Sequence, residues 1–320
     1  MNYTAVIRTL GKAGGKYQKL LNSLCAQTIQ PDRILVYLAK GYPLPKETCG
    51  REEYVYVDKG MVAQRALPYE EVNSEYILFL DDDLYLPSTF AADMIKALND
   101  NDAYVISPDI YDNASRSLKE EFLMTLSGRM RARRGDKYEG YKVMASSGFS
   151  YNKFPENRAY LSQTNAGACF LCRKEDFLKI HFEDEKWLDT SGYPIGEDQV
   201  MYYKMYLAGL KQLTLFGSGI EHLDAGGNLG NKEKKLKLIE SDYFFRKVFW
   251  QRFLQVPERR WTQRLWNRIC ITYFYSFGFC ISALKGDMAA FRAKRRGLVR
   301  ANTFLRSDRY KSLPKIEKKV

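Results

Sequence analysis

Histidine is scarce in this chain of 320 residues; only His181 and His222 occur. With two imidazoles and no GxSxG motif, there is little room for a Ser-His-Asp or Cys-His hydrolytic site. Cysteine is sparse as well. Cys25, Cys49, Cys169, Cys172, Cys270 and Cys280 sit mostly in apolar contexts and make no disulfide framework, which suits a reducing compartment. Cys169 and Cys172 form a lone CxxC without the second pair that a structural zinc site needs, and they read as core. There is no internal repeat and no low-complexity tract. The apolar stretch Ile269 to Leu284 has 16 residues, short of the ~20 needed to cross a bilayer. The first residues, MNYTAVIRTL, enter a strand pattern at once, so no secretory leader is expected, and the sequons at Asn2 and Asn113 are expected to be chance matches. The loop GKAGGK at 11–16 is one residue short of a GxxxxGK[ST] phosphate loop, and Tyr17 stands where its hydroxyl residue would be.

What is present is ample material for a core: 45% apolar and 14% aromatic residues. The net charge of +12 is unevenly spread. Residues 232–320 hold 23 Lys and Arg against 7 Asp and Glu, which leaves 27 against 31 for the first 231 residues. A mildly acidic body therefore carries a strongly basic end, a distribution that points to a polyanionic surface. The basic end contains no recognised nucleic-acid module, so an anionic membrane surface is expected as partner and nucleic acid is not.

Hydrophobic periodicity gives the order β-α-β-β-α-β-α-β over the first part of the chain. Strands are expected at Ala5–Leu10, Ile34–Leu38, Tyr54–Val57, Tyr76–Leu80 and Ala103–Ser107. Helices are expected after the Gly/Lys loop, over Met61–Glu71 with Pro68 near its end, and after a Ser88 cap. This order is that of an α/β fold with a mostly parallel sheet flanked by helices. Residues 109–165 are polar and weakly periodic, as in a long functional loop. Further on, a strand at Ala168–Cys172, helices at Lys174–Ile180 and Gln199–Leu207, and a strand at Gln212–Phe216 are expected. The stretch 269–284, bracketed by Arg264, Arg268 and Lys285, suits a helical hairpin lying in a membrane interface, or core helices with solvated charges.

Two acidic clusters carry the chemistry. The run YILFLDDD at 76–83 suits a strand buried on both faces that delivers Asp81, Asp82 and Asp83 to its C-terminal end, where open α/β sheets bind ligands. Three adjacent carboxylates there suit Mg²⁺ or Mn²⁺, or else form a solvated acidic turn. The second cluster is Glu197-Asp198, at the start of the helix expected from Gln199. A carboxylate there caps the helix or acts as general base on a hydroxyl. The segment 187–196, beginning at Trp187, offers an aromatic and glycine-rich surface for a sugar ring. His222 follows a strand in a Gly-flanked loop that can approach a bound ion.

With these parts in order, the chain resembles the family 2 glycosyltransferases of the GT-A fold over roughly residues 3–224. LDDDL at 80–84 resembles the family's DxD motif, GEDQ at 196–199 its ED motif, and VDKGMVAQRA at 57–66 the segment in which a Gly and an Arg approach the nucleotide. IRTLG at 7–11 resembles the first strand and donor loop. The resemblance implies that Thr9, Arg65, Asp81 and Asp82 contact the nucleotide sugar. It implies that Asp83, with Asp81 and His222, holds the metal. Asp198 would be the general base, assisted by Glu197, which with Trp187 would hold the acceptor. The implied reaction is an inverting transfer from a nucleotide-sugar donor to a hydroxyl of a cell-surface glycan or lipid-linked saccharide. The expected division is residues 1–235 for catalysis and 236–320 for a helical, basic, membrane-associating region. The expected location is the cytoplasmic, inner face of the cell membrane. Two departures, Ala39-Lys40-Gly41 after the second strand and Ala66 after Arg65, leave base recognition open. A sugar-phosphate nucleotidyltransferase, or a non-catalytic basic protein that binds membrane or nucleic acid on the same fold, stays as an alternative.

Overall fold

The computed structural model describes residues 2–110, 116–131, 137–152, 156–224 and 231–319. The sequon at Asn113 and residues 225–230 of the glycine-flanked loop lie outside them. Strands and helices run in the order β1 (Tyr3–Thr9), α1 (Gly15–Cys25), β2 (Arg33–Ala39), β3 (Glu52–Val57), β4 (Tyr76–Asp81), β5 (Leu84–Tyr85), α2 (Phe90–Asp100) and β6 (Val105–Pro108). Then come α3 (Leu118–Leu126), β7 (Lys142–Val143), β8 (Ser150–Tyr151), β9 (Ala159–Ser162), β10 (Cys169–Arg173) and α4 (Lys174–Leu178). A 3-10 stretch at Phe182–Thr190 precedes α5 (Glu197–Leu207), β11 (Gln212–Leu215) and β12 (Glu221–His222). The C-terminal helices are α6 (Lys232–Phe249), continued by a π-helical stretch Trp250–Gln255, α7 (Trp261–Leu284), α8 (Met288–Arg306) and α9 (Asp308–Lys311).

Eight strands form one sheet in the order β3-β2-β1-β4-β10-β6-β11-β9. Strands β3, β2, β1 and β4 are mutually parallel, as are β6 and β11. β10 runs antiparallel between β4 and β6, and β9 runs antiparallel at the edge. The run YILFL is buried throughout because β4 is flanked by β1 and β10 and covered on both faces. Its side chains alternate. Leu78 and Leu80 join Leu20, Leu24, Phe90 and Met94 of α1 and α2 on one face. Ile77 and Phe79 join Tyr202 of α5 and Phe249 and Trp250 of the C-terminal part on the other. The boundary expected between residues 235 and 236 falls inside α6, and the C-terminal helices share that second core with the sheet.

Three local expectations differ from the structure. Met61–Glu71 is a series of turns and not a helix: Pro68 lacks the N–H a helix needs, and Tyr69 adopts φ 51°. Helix α2 starts after Thr89, not Ser88, and the Thr89 hydroxyl bonds the Asp93 side chain. The polar 109–165 stretch contains α3, opened by a Ser117/Glu120 capping box, and three strands of two to four residues. Its periodicity is weak because no residue of α3 is buried and the strands are short.

Helix α7 has two unlike faces. Asn267, Ile271, Phe274, Tyr275 and Ser282 are buried, while Trp261, Leu265, Trp266 and Ile269 are more than half exposed. Beside it, Leu118 and Phe122 of α3 are also more than half exposed, and the Tyr273 hydroxyl donates to the Leu126 carbonyl. Among the described residues, no helix is long and apolar enough to cross a membrane.

Candidate functional site

The parallel register of β1 and β4 sets Arg8 directly opposite Asp81 at the C-terminal edge of the sheet. Arg8 Nε lies 2.5 Å from Asp81 Oδ1, and another guanidinium nitrogen reaches Glu197 Oε1 at 2.5 Å. Arg65 completes the bridge. It pairs with Asp81 at 3.2 Å, Glu197 at 3.0 Å and Asp198 at 3.4 Å, and it donates to the Gly167 carbonyl at 2.8 Å. Two acidic clusters more than a hundred residues apart in sequence are thus joined by two guanidiniums. Burial pushes the Asp81 carboxyl upward, but Arg8 and Arg65 outweigh it and hold it below the ordinary range. For Glu197 burial dominates, aided by Asp198 and Asp81, and the carboxyl is raised in spite of both arginines.

Asp82 and Asp83 follow on the turn after β4. The Thr9 hydroxyl donates to Asp82 and accepts the Gly11 N–H at 2.8 Å. Burial, then repulsion from Asp83 and Asp81, pushes the Asp82 carboxyl up to about 6, against the Thr9 bond. Asp83 faces His222 because β5 and β12 pair antiparallel with Leu84 opposite His222, and Leu223 N–H donates to the Asp83 carbonyl at 2.8 Å. The imidazole Nε2 is 3.1 Å from Asp83 Oδ1. Its hydrogen bond to Asp83 raises the imidazole above its ordinary value, against burial.

Most of these groups, though not Arg65 or Asp198, line a cleft of about 740 Å³. Lys12, Lys16 and Lys59 line it opposite the aspartates. Lys12 and Lys16 come from the GKAGGK loop, whose Gly14 precedes α1 with no side-chain cap on the helix N-terminus. Lysines beside a helix N-terminus that no side chain caps favour a phosphate-bearing ligand. The cleft wall at Gly60–Gln64 is shaped by Asp189, whose carboxylate accepts the Val62 and Ala63 N–H groups at 2.8 and 3.1 Å. A Cβ on Gly60 would lie 2.5 Å from that carboxylate and would have to displace it from those N–H groups.

Thr9, Asp81, Asp82, Asp83, Glu197 and His222 all line this cleft. Other expectations are corrected. Trp187 is 2% exposed and packs on Phe244 and Phe304, with its N–H on Glu185, so it offers no face to an acceptor. Glu197 anchors Arg8 and Arg65 through Oε1. Arg65 is 2% exposed and lies beneath the site; Arg8 is the arginine in the cleft. Both Asp81 oxygens accept from Arg8, and Asp81 lines the cleft beside Asp82 and Asp83. Asp198 has a side chain 39% exposed and is the accessible carboxylate of the second cluster.

Among the described residues, no group of three or more His, Cys, Asp or Glu side chains is arranged to hold a metal ion. The Asp83–His222 pair supplies one oxygen and one nitrogen donor side by side. A carboxylate suits Mg²⁺ or Mn²⁺, and the imidazole favours the softer of the two. Diphosphate oxygens and water can complete such a shell. Arg8, Lys12, Lys16, Lys59 and Asp189 were not singled out by sequence. A legible signal existed for Arg8: a charge inside an otherwise apolar strand requires a buried partner.

No family model matches the chain, and no curated protein matches it. Solved structures with a related chain path include GalNAc-T7 with UDP, GalNAc and Mn²⁺, at a TM-score of 0.47 and 13% identity, covering 77% of this chain and 50% of that one. S. aureus TarS gives 0.43 and 13%, covering 78% and 40%. Its 1–349 portion gives 0.46 and 13%, covering 89% and 74%. The chain thus spans half or less of the length of the first two.

Proposed function

We propose that this chain is a glycosyltransferase that moves a sugar from a nucleotide-sugar donor to a hydroxyl, with inversion. The observation that carries the reading is the joining of Asp81 and Glu197-Asp198 by Arg8 and Arg65 at the mouth of a lysine-lined cleft. Lys12, Lys16 and Lys59 offset the phosphate charge of the donor. Asp83 and His222 would hold Mg²⁺ or Mn²⁺, which when bound offsets negative charge developing on the leaving diphosphate. Asp198 takes the proton of the acceptor hydroxyl as its oxygen bonds to the anomeric carbon. The bond from that carbon to the diphosphate breaks, and its electron pair leaves with the nucleoside diphosphate. Asp82 and Thr9 form the floor against which the donor rests.

The test is release of nucleoside diphosphate across a panel of nucleotide sugars, with Mn²⁺ or EDTA. One donor is expected to turn over in a metal-dependent way. Asp83→Ala and Asp198→Asn are each expected to lower transfer by about 10²-fold or more, with an unchanged melting curve. Pyrophosphate release in place of nucleoside diphosphate would assign a nucleotidyltransferase. Full transfer by either variant would overturn that residue's role.

We further propose that the outer faces of α7 and α3 rest on an anionic membrane, on the cytoplasmic side. Support comes from the exposed Trp261, Leu265, Trp266, Ile269 and Phe122, with Arg264 and Arg268 exposed beside them. Aromatic and aliphatic side chains interleaved with arginine suit a negatively charged lipid interface.

A further inference from the structure

A second cavity, of about 510 Å³, lies among α6, α7, α8 and the start of α5. Gly196 and Gln199 line it, so it abuts the turn that carries Glu197 and Asp198. Three cations face it: Arg129, Arg246 and Lys294. Both guanidiniums lie against one ring, Phe149, at 5.7 and 4.6 Å. Lys294 Nζ lies 5.5 Å from the Tyr243 ring centre and donates to the Gly278 carbonyl at 2.7 Å and the Ser282 hydroxyl at 2.8 Å. Asp242 is the one carboxylate among the lining residues, and it is committed to Arg246 at 2.8 Å. Among the described residues, Arg129 makes no ion pair. The cavity therefore holds two positive charges in excess, crowded together. Burial first, and then the neighbouring Arg129, pull the Lys294 ammonium below its ordinary value. Three cations held by rings and carbonyls around an open space, with one carboxylate to answer them, are arranged for an anion.

We infer that this cavity binds a phosphoryl group carried by the acceptor, so that the acceptor's hydroxyl is presented at the first turn of α5. The role of acceptor rests on the transferase reading; the anion site itself does not. The phosphoryl group comes either from a lipid-linked sugar diphosphate or from a phosphate within a soluble glycan, since both present the same oxyanions to Arg129 and Lys294.

Calorimetry on the full chain with inorganic phosphate tests the site without donor or turnover. Lys12→Gln/Lys16→Gln protein is used throughout, to remove the donor cleft's own attraction for phosphate. In that background, phosphate is expected to bind with one-to-one stoichiometry. Adding Arg129→Gln is expected to weaken binding about tenfold or more, and Arg129→Lys to restore most of it. Among the described residues Arg129 makes no ion pair that its replacement would break, and a thermal melt checks the fold. Unchanged affinity on Arg129→Gln, or no phosphate binding at all, overturns the proposal. A short-chain alkyl sugar diphosphate that binds more tightly than phosphate assigns the lipid-linked source. Equal binding assigns the soluble glycan, and the site stands in both cases. Because binding is measured without donor, loss of the transferase reading would show as absent nucleotide release with phosphate binding intact.

Discussion

At Gly167 the space available for a side chain is already occupied. A Cβ built there would lie 1.8 Å from Asp198 Oδ1, while the backbone carbonyl receives Arg65. The obstacle is the end of a flexible, partly exposed side chain, which can swing aside at little cost to stability. Gly167→Ala is therefore expected to displace the Asp198 carboxylate and leave the fold nearly untouched. Transfer should fall by at least about tenfold in kcat, with the melting temperature within a few degrees of wild type. Wild-type kcat in that variant would show that Asp198 does not act from the position seen. The acidic clusters themselves were legible from residue type and spacing. What residue type did not reveal was which carboxylates are free. Asp81 and Glu197 read the same as Asp83 and Asp198 in sequence, and only the converging Arg8 and Arg65 separate the arginine-bridged pair from Asp83, which faces His222, and Asp198, which is partly exposed. Trp187 failed for a related reason: an aromatic near a glycine-rich segment reads as a stacking platform until its neighbours Phe244 and Phe304 are known.

At the scale of elements, long apolar runs and regular helical faces were readable, as in β4, buried on both faces, and in α1 and α2, each with one buried face. The short elements of the 109–165 stretch were not. Helix α3 buries nothing, and the turns at 61–66 are held by a carboxylate from residue 189. Helix α7 was visible as an apolar stretch, but its division into a buried and an exposed face depends on packing. Its exposed row Trp261, Leu265, Ile269 follows the i, i+4 spacing of one helix face. Replacing Trp261, Leu265, Trp266 and Ile269 by serine is expected to lower binding to vesicles containing anionic lipid by at least about tenfold. The melting temperature should hold, since none of the four is buried. Equal vesicle binding by the variant would remove α7 from the membrane contact, and concentration-dependent dimerisation lost in the same variant would reassign the face to a second copy of the chain.

Across the whole molecule, the sheet and the C-terminal helices are held together by one buried charge cluster as well as by apolar packing. Glu185 is fully buried. It accepts two bonds from Arg252 at 2.9 Å each and one from the Trp187 N–H at 2.7 Å, and lies 3.1 Å from Lys204 Nζ. Glu185→Gln leaves Arg252 without its carboxylate and Lys204 with Asp184 alone, at 3.4 Å, and is expected to cost about 3–5 kcal/mol by denaturant melt. Burial raises the Glu185 carboxyl, but Arg252 and Lys204 outweigh it and hold it below its ordinary value. Its stabilisation is thus complete above the unfolded carboxyl value, about pH 4.3, and is lost as pH falls through the lower folded value. The wild type should lose this increment below about pH 4, and Glu185→Gln should show a flatter acid limb; identical limbs would count against the cluster. Phe244, Phe249 and Trp250 add roughly 2 kcal/mol each on the same side of the sheet. Removing residues after 240 would expose that core, so membrane contact is better tested at the surface of α7 than by truncation.

The two guanidiniums, Arg8 in the cleft and Arg65 beneath it, also bear on the order of events in the life of the chain. Arg8 and Arg65 supply from within the protein the positive charge that Asp81 and Glu197 require. A cluster of this density that relied on an external cation would tie folding to the supply of that cation. With the counter-charges built into β1 and the turn before Pro68, the fold is expected to form without ion or nucleotide, and a melting curve unchanged by EDTA is the check. Asp83, His222 and Asp198 are left uncommitted to those arginine anchors or only weakly held by them, so capture of ligand is separated in time from construction of the site.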